Sequence, residues 1–137
     1  MRIDLLVNDF TYRAFTDRSI VLFESQMRRN YIHVRDVARA FLHGLREFDR
    51  LRDAVYNVGL SDANLSKLEL CQRIRQHIPS LTILEAPTGS DPDKRDYIVS
   101  NAKIEATGYK PMYSLDDGIR ELLKGYTMIR NTRYGNV

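Results

Sequence analysis

Arg29-Asn30-Tyr31-Ile32-His33-Val34-Arg35-Asp36-Val37-Ala38 is the stretch on which the fold turns. Tyr31 to Val34 reads as a short extended segment, and from about Arg35 the pattern changes. Val37, Ala38, Phe41, Leu42, Leu45 and Phe48 recur at i, i+3, i+4 spacing, which predicts a helix over 35–48 with that stripe on a core. Asp36, in the first turn, can accept from free N–H groups and oppose the helix dipole. Beyond the helix, Ala54-Val55-Tyr56-Asn57-Val58 reads as a strand, and Gly59 permits a sharp turn. Extended segment, helix and strand form a unit that favours parallel neighbours in one sheet. The predicted class is α/β, shading into mixed α+β.

Upstream, residues 2–15 read as a helix with Leu5, Leu6, Phe10 and Phe15 near helical spacing, and 19–23 as a β-branched strand. The abrupt opening on an apolar helix is read as a fragment boundary. Downstream, Ser66-Lys67-Leu68-Glu69 has the pattern of a capping box, and Leu68, Cys71, Ile74 and Ile78 give the buried stripe of a helix that Pro79 closes. Leu81 to Leu84 is a further strand, and 86–96 an ordered polar loop. Tyr97-Ile98-Val99 is a short strand, Ser100 caps a helix through Ala106, and Gly108 ends it. Ser114 caps the last helix, with Asp116 and Asp117 in its first turn and Ile119, Leu122, Leu123 and Tyr126 facing inward.

A chain of 137 residues is one ordinary domain by length, large enough to bury a core. Its single cysteine, Cys71, excludes an internal disulfide and fits a reducing, cytoplasmic setting; its place on the helical stripe makes it a core residue. The three histidines lack metal-ligand spacing, so no metal is expected; His33 is read as structural, with one nitrogen bonded to backbone, and His43 and His77 as surface residues. No stretch approaches the roughly 20 apolar residues of a membrane span, and the first residues are not a secretory signal. Twenty-one basic and eighteen acidic residues give a net charge of +3, but the cations are scattered among acids. That excludes a nucleic-acid face and leaves a weak attraction for anionic ligands.

Four segments in order carry a resemblance. They are residues 29–38, quoted above; Val55-Tyr56-Asn57-Val58-Gly59; Lys94-Arg95-Asp96-Tyr97-Ile98-Val99-Ser100-Asn101-Ala102-Lys103-Ile104; and Gly108-Tyr109-Lys110-Pro111 before the helix at Ser114. Together they resemble the second half of the extended short-chain dehydrogenase/reductase family, the NAD-dependent nucleotide-sugar epimerases, dehydratases and reductases, from about Asp4 to Tyr126. The resemblance implies a carboxyl-terminal substrate-binding lobe plus the last βα/β elements of a Rossmann domain. Residues 1–127 would be the fragment, with about 31–59 pairing with the missing Rossmann sheet, and 128–137 a tail. The parent would be a cytoplasmic isomerase or oxidoreductase that holds NAD and acts on a nucleoside-diphosphate hexose for surface polysaccharide. This chain has neither the family's glycine-rich cofactor turn nor a Tyr with Lys four residues on. No cofactor and no catalytic residue are therefore expected in it, and by itself it should be inactive. Its partners would be a nucleoside-diphosphate sugar, the amino-terminal Rossmann half and, through unpaired sheet edges or an exposed apolar face, a second copy. A stand-alone nucleotide-sugar binding or assembly module is the alternative.

The resemblance also implies binding residues. Arg29 would fork onto two oxygens of the diphosphate, the alternative being a surface arginine in a basic loop. Arg95, eight residues before Lys103, would be a second phosphate contact, and Asp93 a ribose contact; both could equally belong to a solvated run of alternating charge. Asn57, near the end of its strand, would face the nucleotide or simply bond its own turn. Asn8 matches an asparagine that precedes the nucleotide lobe in some epimerases.

Overall fold

The computed structural model of the chain describes residues 3–87 and 95–130. Among them lie α1 (Leu6–Thr16), β1 (Ser19–Leu22), β2 (Arg28–Asn30), α2 (Val34–Arg46), α3 (Phe48–Leu51), β3 (Asn64–Ser66), α4 (Lys67–His77), β4 (Thr82–Glu85), α5 (Ala102–Glu105) and α6 (Leu115–Arg130). β1 and β4 pair in parallel, Ser19 opposite Thr82, and β2 and β3 antiparallel, Arg29 opposite Leu65. The class is mixed α/β, as predicted. No helix among the described residues is long and apolar enough to cross a membrane.

One core joins four elements. Phe10 and Ala14 of α1, Ile20 and Leu22 of β1, Leu70, Cys71 and Ile74 of α4, and Ile119 of α6 are buried together. Each aliphatic side chain of this kind contributes about 1.5–3 kcal/mol. Burial also pushes the Cys71 thiol up to about 12, in keeping with a core residue. The starts of α4 and α6 read from sequence hold. Ser66 Oγ accepts from Glu69 N at 3.1 Å while Glu69 Oε2 accepts from Ser66 N at 2.7 Å, a reciprocal capping box. Ser114 and Asp117 do the same for α6. Gly108, at φ +94°, follows α5 in the conformation that glycine adopts freely.

Several expectations are corrected. α1 begins at Leu6, four residues later than expected, and α6 runs on to Arg130, past the expected start of the tail. Pairing falls at 28–30 and not at 31–34, because His33 already caps α2: its Nδ1 accepts from Arg35 N at 3.2 Å. Asp36 therefore does not cap the helix but turns inward. The stripe on α2 has the predicted period, yet Phe41 is 73 % and Leu45 71 % exposed, because nothing among the described residues packs on it. Residues 54–58 form no strand, and Val55 is 84 % exposed. Among the described residues, no strand pairs with 31–34 or 54–58. Residues 97–99 are also unassigned; Val99 N donates to Asn64 Oδ1 at 2.9 Å and Asn64 Nδ2 to Val99 O at 3.0 Å, so one side chain replaces a neighbouring strand. The α5 cap is Asn101, not Ser100, and makes no side-chain cap bond. β3 was not foreseen.

Candidate functional site

Asp36 connects the first and last of the four motifs. Fully buried, its carboxylate accepts from Met112 N at 3.0 and 3.1 Å and from Tyr113 N at 2.9 Å, while Tyr109 Oη donates to its backbone oxygen at 2.8 Å. The segment entering α6 is thereby fastened to α2. Tyr113 in turn stacks on His33 at 4.6 Å, and His33 Nε2 lies 3.3 Å from Glu121 on α6. Since His33 Nδ1 is already an acceptor, Nε2 carries the proton toward Glu121. On the far side of α6, Asp116 holds Arg73 and His77 of α4, each at 2.8 Å. Its carboxyl is drawn up by burial, but the His77 and Arg73 contacts outweigh that and leave it below the ordinary carboxylate value. His77 is thus pinned between helices, and His43 bonds Thr107 at 2.8 Å; neither is the simple surface residue expected.

These fastenings leave a groove of about 1150 Å³ between the start of α1, the 28–34 segment and the start of α6. Asn8, Arg29 and Arg95 all line it. Arg29, only 7 % exposed, donates to Arg28 O at 2.7 Å, and its guanidinium carbon sits 5.3 Å from the Tyr97 ring. That places the side chain between a strand and the 95–97 loop, where an aromatic face favours a cation. Asn8 sits in α1, where its backbone oxygen accepts from Tyr126 Oη at 2.8 Å. Arg95 is exposed on the loop. Asn57 is not brought to the groove; its side chain donates to Ser100 O at 3.4 Å, and it is exposed. Asp93 lies outside the described residues.

Two groove residues escaped the reading of the sequence. Lys67 is buried in the groove wall. Its spacing was a signal, since residues 67, 70, 71 and 74 share one helical face. Tyr31 also lines the groove, its hydroxyl buried with no hydrogen-bond partner among the described residues and burial holding its pKa above the ordinary tyrosine value. Nothing along the sequence distinguishes that hydroxyl from a solvated one. A second hollow, of about 540 Å³, runs along the exposed stripe of α2 and α3 and is lined by Phe41, Leu45, Phe48 and Val58 among others.

A dinucleotide cradle needs a glycine turn after a parallel strand. Here the parallel strands lead into Phe23-Glu24 and Ala86-Pro87, with no glycine at either end. The described residues therefore show no such cradle. Nor do they include a cluster of three metal-ligating side chains.

Residues 2–59 match the family model described as the NAD dependent epimerase/dehydratase family. Among solved structures, UDP-glucose 4-epimerase of Thermotoga maritima with UDP-glucose matches at TM-score 0.73 and 20 % identity, over 93 % of this chain and 40 % of that one. ADP-L-glycero-D-manno-heptose-6-epimerase of Helicobacter pylori matches at 0.69 and 22 %, over 92 % and 38 %. dTDP-glucose 4,6-dehydratase of Bacillus anthracis, in complex with NAD, matches at 0.70 and 19 %, over 96 % and 41 %. The resemblance carried by the four motifs therefore stands: residues 2–59 match the NAD-dependent epimerase/dehydratase family model, and the likeness of fold to these structures covers more than nine-tenths of the chain. The chain spans about two fifths of the length of these structures.

Proposed function

We propose that this chain is the nucleotide-sugar binding part of an NAD-dependent epimerase/dehydratase acting on a nucleoside-diphosphate hexose. The observation that carries the reading is the convergence of Asn8, Arg29 and Arg95 on one large groove. A guanidinium can fork onto two phosphate oxygens, so Arg29 and Arg95 would hold the diphosphate. Asn57 and Asp93, implied by the resemblance, remain candidates outside that convergence. The hydride chemistry would belong to an amino-terminal Rossmann half that holds NAD, and this chain alone would be inactive. The exposed stripe of α2 and the unpaired 54–58 segment would be the face that this half covers. Phe41, Leu45 and Phe48 leave a cluster of large apolar side chains exposed on one face, which supports that arrangement.

The same face favours one other reading, a stand-alone module that associates with a copy of itself and binds nucleotide sugars without reaction. Calorimetric titration with UDP, GDP, CDP and dTDP tests the binding claim. One of the four should bind, and Arg29→Ala should weaken it about 10- to 100-fold, the value of a charge-assisted contact. Binding of none would overturn the proposal. Light scattering separates the two readings: a concentration-dependent dimer abolished by Phe41→Ser would favour the module, and a monomer the enzyme part.

A further inference from the structure

Lysine is among the residues least often fully buried, yet Lys67 is 2 % exposed. It opens α4, directly after the capping-box serine, on the same helical face as Leu70, Cys71 and Ile74. An aliphatic residue would suit that face better if packing were all that mattered. Lys67 Nζ donates to Phe23 O at 3.0 Å, which fixes where the ammonium stands. It lines the groove that Arg29 and Arg95 line.

The antiparallel ribbon relates these cations. Arg29 lies opposite Leu65, and the ladder continues past β3 through Lys67 N donating to Met27 O at 3.2 Å. Lys67, the first residue of α4, thus stands one step diagonally from Arg29 across the ribbon, and both residues line the groove. An ammonium is donor-only, so whatever the ligand presents to it is an acceptor. Two cations lining one groove favour a ligand with more than one negative charge there. Two acids line the groove as well, Asp4 and Glu121, the second engaged by His33 and Arg35.

We propose that Lys67 is a third phosphate-binding cation of this groove, acting with Arg29 on the two phosphates of a diphosphate. The proposal rests on the nucleotide-sugar reading for the identity of the ligand, but its chemistry requires only a diphosphate. The test titrates wild type and Lys67→Gln with inorganic pyrophosphate and with UDP, GDP, CDP and dTDP. Glutamine can still donate to Phe23 O but has no charge. The expected result is a tenfold or greater loss for every diphosphate that wild type binds, with a shallower dependence of affinity on salt. Unchanged affinity in a folded Lys67→Gln, with loss in Arg29→Ala, would overturn the role of Lys67 and leave the nucleotide-sugar reading intact. Loss in Lys67→Gln with pyrophosphate bound as tightly as every nucleotide would support Lys67 and overturn the nucleoside part. Wild type that binds neither overturns both. Should Lys67→Gln fail to fold, the ¹³Cε resonance of Lys67 in wild type decides: a saturable shift with pyrophosphate supports the role, and a static resonance while Arg29 responds overturns it.

Discussion

Replacing Asp36 with alanine strands two backbone donors. Met112 N and Tyr113 N both lose a buried carboxylate acceptor, at 2.9 to 3.1 Å, inside a partly buried turn. A hydrogen bond to a charged group contributes about 1.5–3 kcal/mol, and an orphaned donor keeps its desolvation cost. The combined loss is about 3–5 kcal/mol, a large part of the roughly 5–15 kcal/mol that a domain possesses. Urea unfolding followed by circular dichroism should move its midpoint down by about 2 M. Asp36→Asn, which keeps one acceptor oxygen, should fall between wild type and Asp36→Ala. Arg39→Ala is the control. It removes only the partly exposed partner 3.3 Å from the carboxylate, and should cost no more than about 1 kcal/mol. A loss below about 1 kcal/mol for Asp36→Ala would refute the claim that this carboxylate fastens α6 to α2.

Further outcomes follow from single contacts. A Cβ on Gly59 would fall on the Asn30 side-chain amide, which donates to Leu60 O at 2.8 Å, so Gly59→Ala should lower stability by about 1–3 kcal/mol in the same urea assay. The Asp117 carboxyl is held at about 2, first by the Ser114 hydroxyl, then by the Ser114 amide and Arg120. Its folded value lies below the ordinary 3.8, so its stabilisation is complete above roughly pH 4 and lost as pH falls toward 2. Ser114→Ala should raise that value in a carboxyl-carbon NMR titration and remove about 1 kcal/mol of helix capping. Cys71, buried with its thiol pushed up to about 12, should ignore a thiol reagent at pH 8 in the native state and react at once in urea. Rapid labelling of the native chain would contradict its place in the core.

The parts of the fold legible in the sequence were those whose cause is local. Ser66 and Glu69 announce a capping box with both partners inside four residues, and Ser114 does the same with Asp117. A βα period is local too, which is why α2 was found but its packing was not. Phe41, Leu45 and Phe48 read as a buried stripe, yet burial needs a second surface that the described residues do not bring to them. The strands expected at 54–58 and 97–99 fail for the same reason, since a strand exists through its neighbour. In place of a neighbour, Val99 has the Asn64 side chain. Asp36 had the position of a dipole-facing acid, but its partners lie 76 and 77 residues away, beyond the reach of any pattern. In the site, Arg29, Arg95 and Asn8 came from the motif resemblance, and their convergence came from the fold. Lys67 was missed because a lysine after a capping serine reads as a solvated first turn.

Amide-resolved NMR titration with the nucleoside diphosphate that binds best tests the central claim most directly. The account predicts saturable shifts confined to the groove, at Asn8, Arg29, Tyr31, Lys67, Arg95 and Tyr97, with the exposed face at Phe41 to Phe48 unmoved. Shifts on that apolar face, or no saturable shift at the groove, would contradict it.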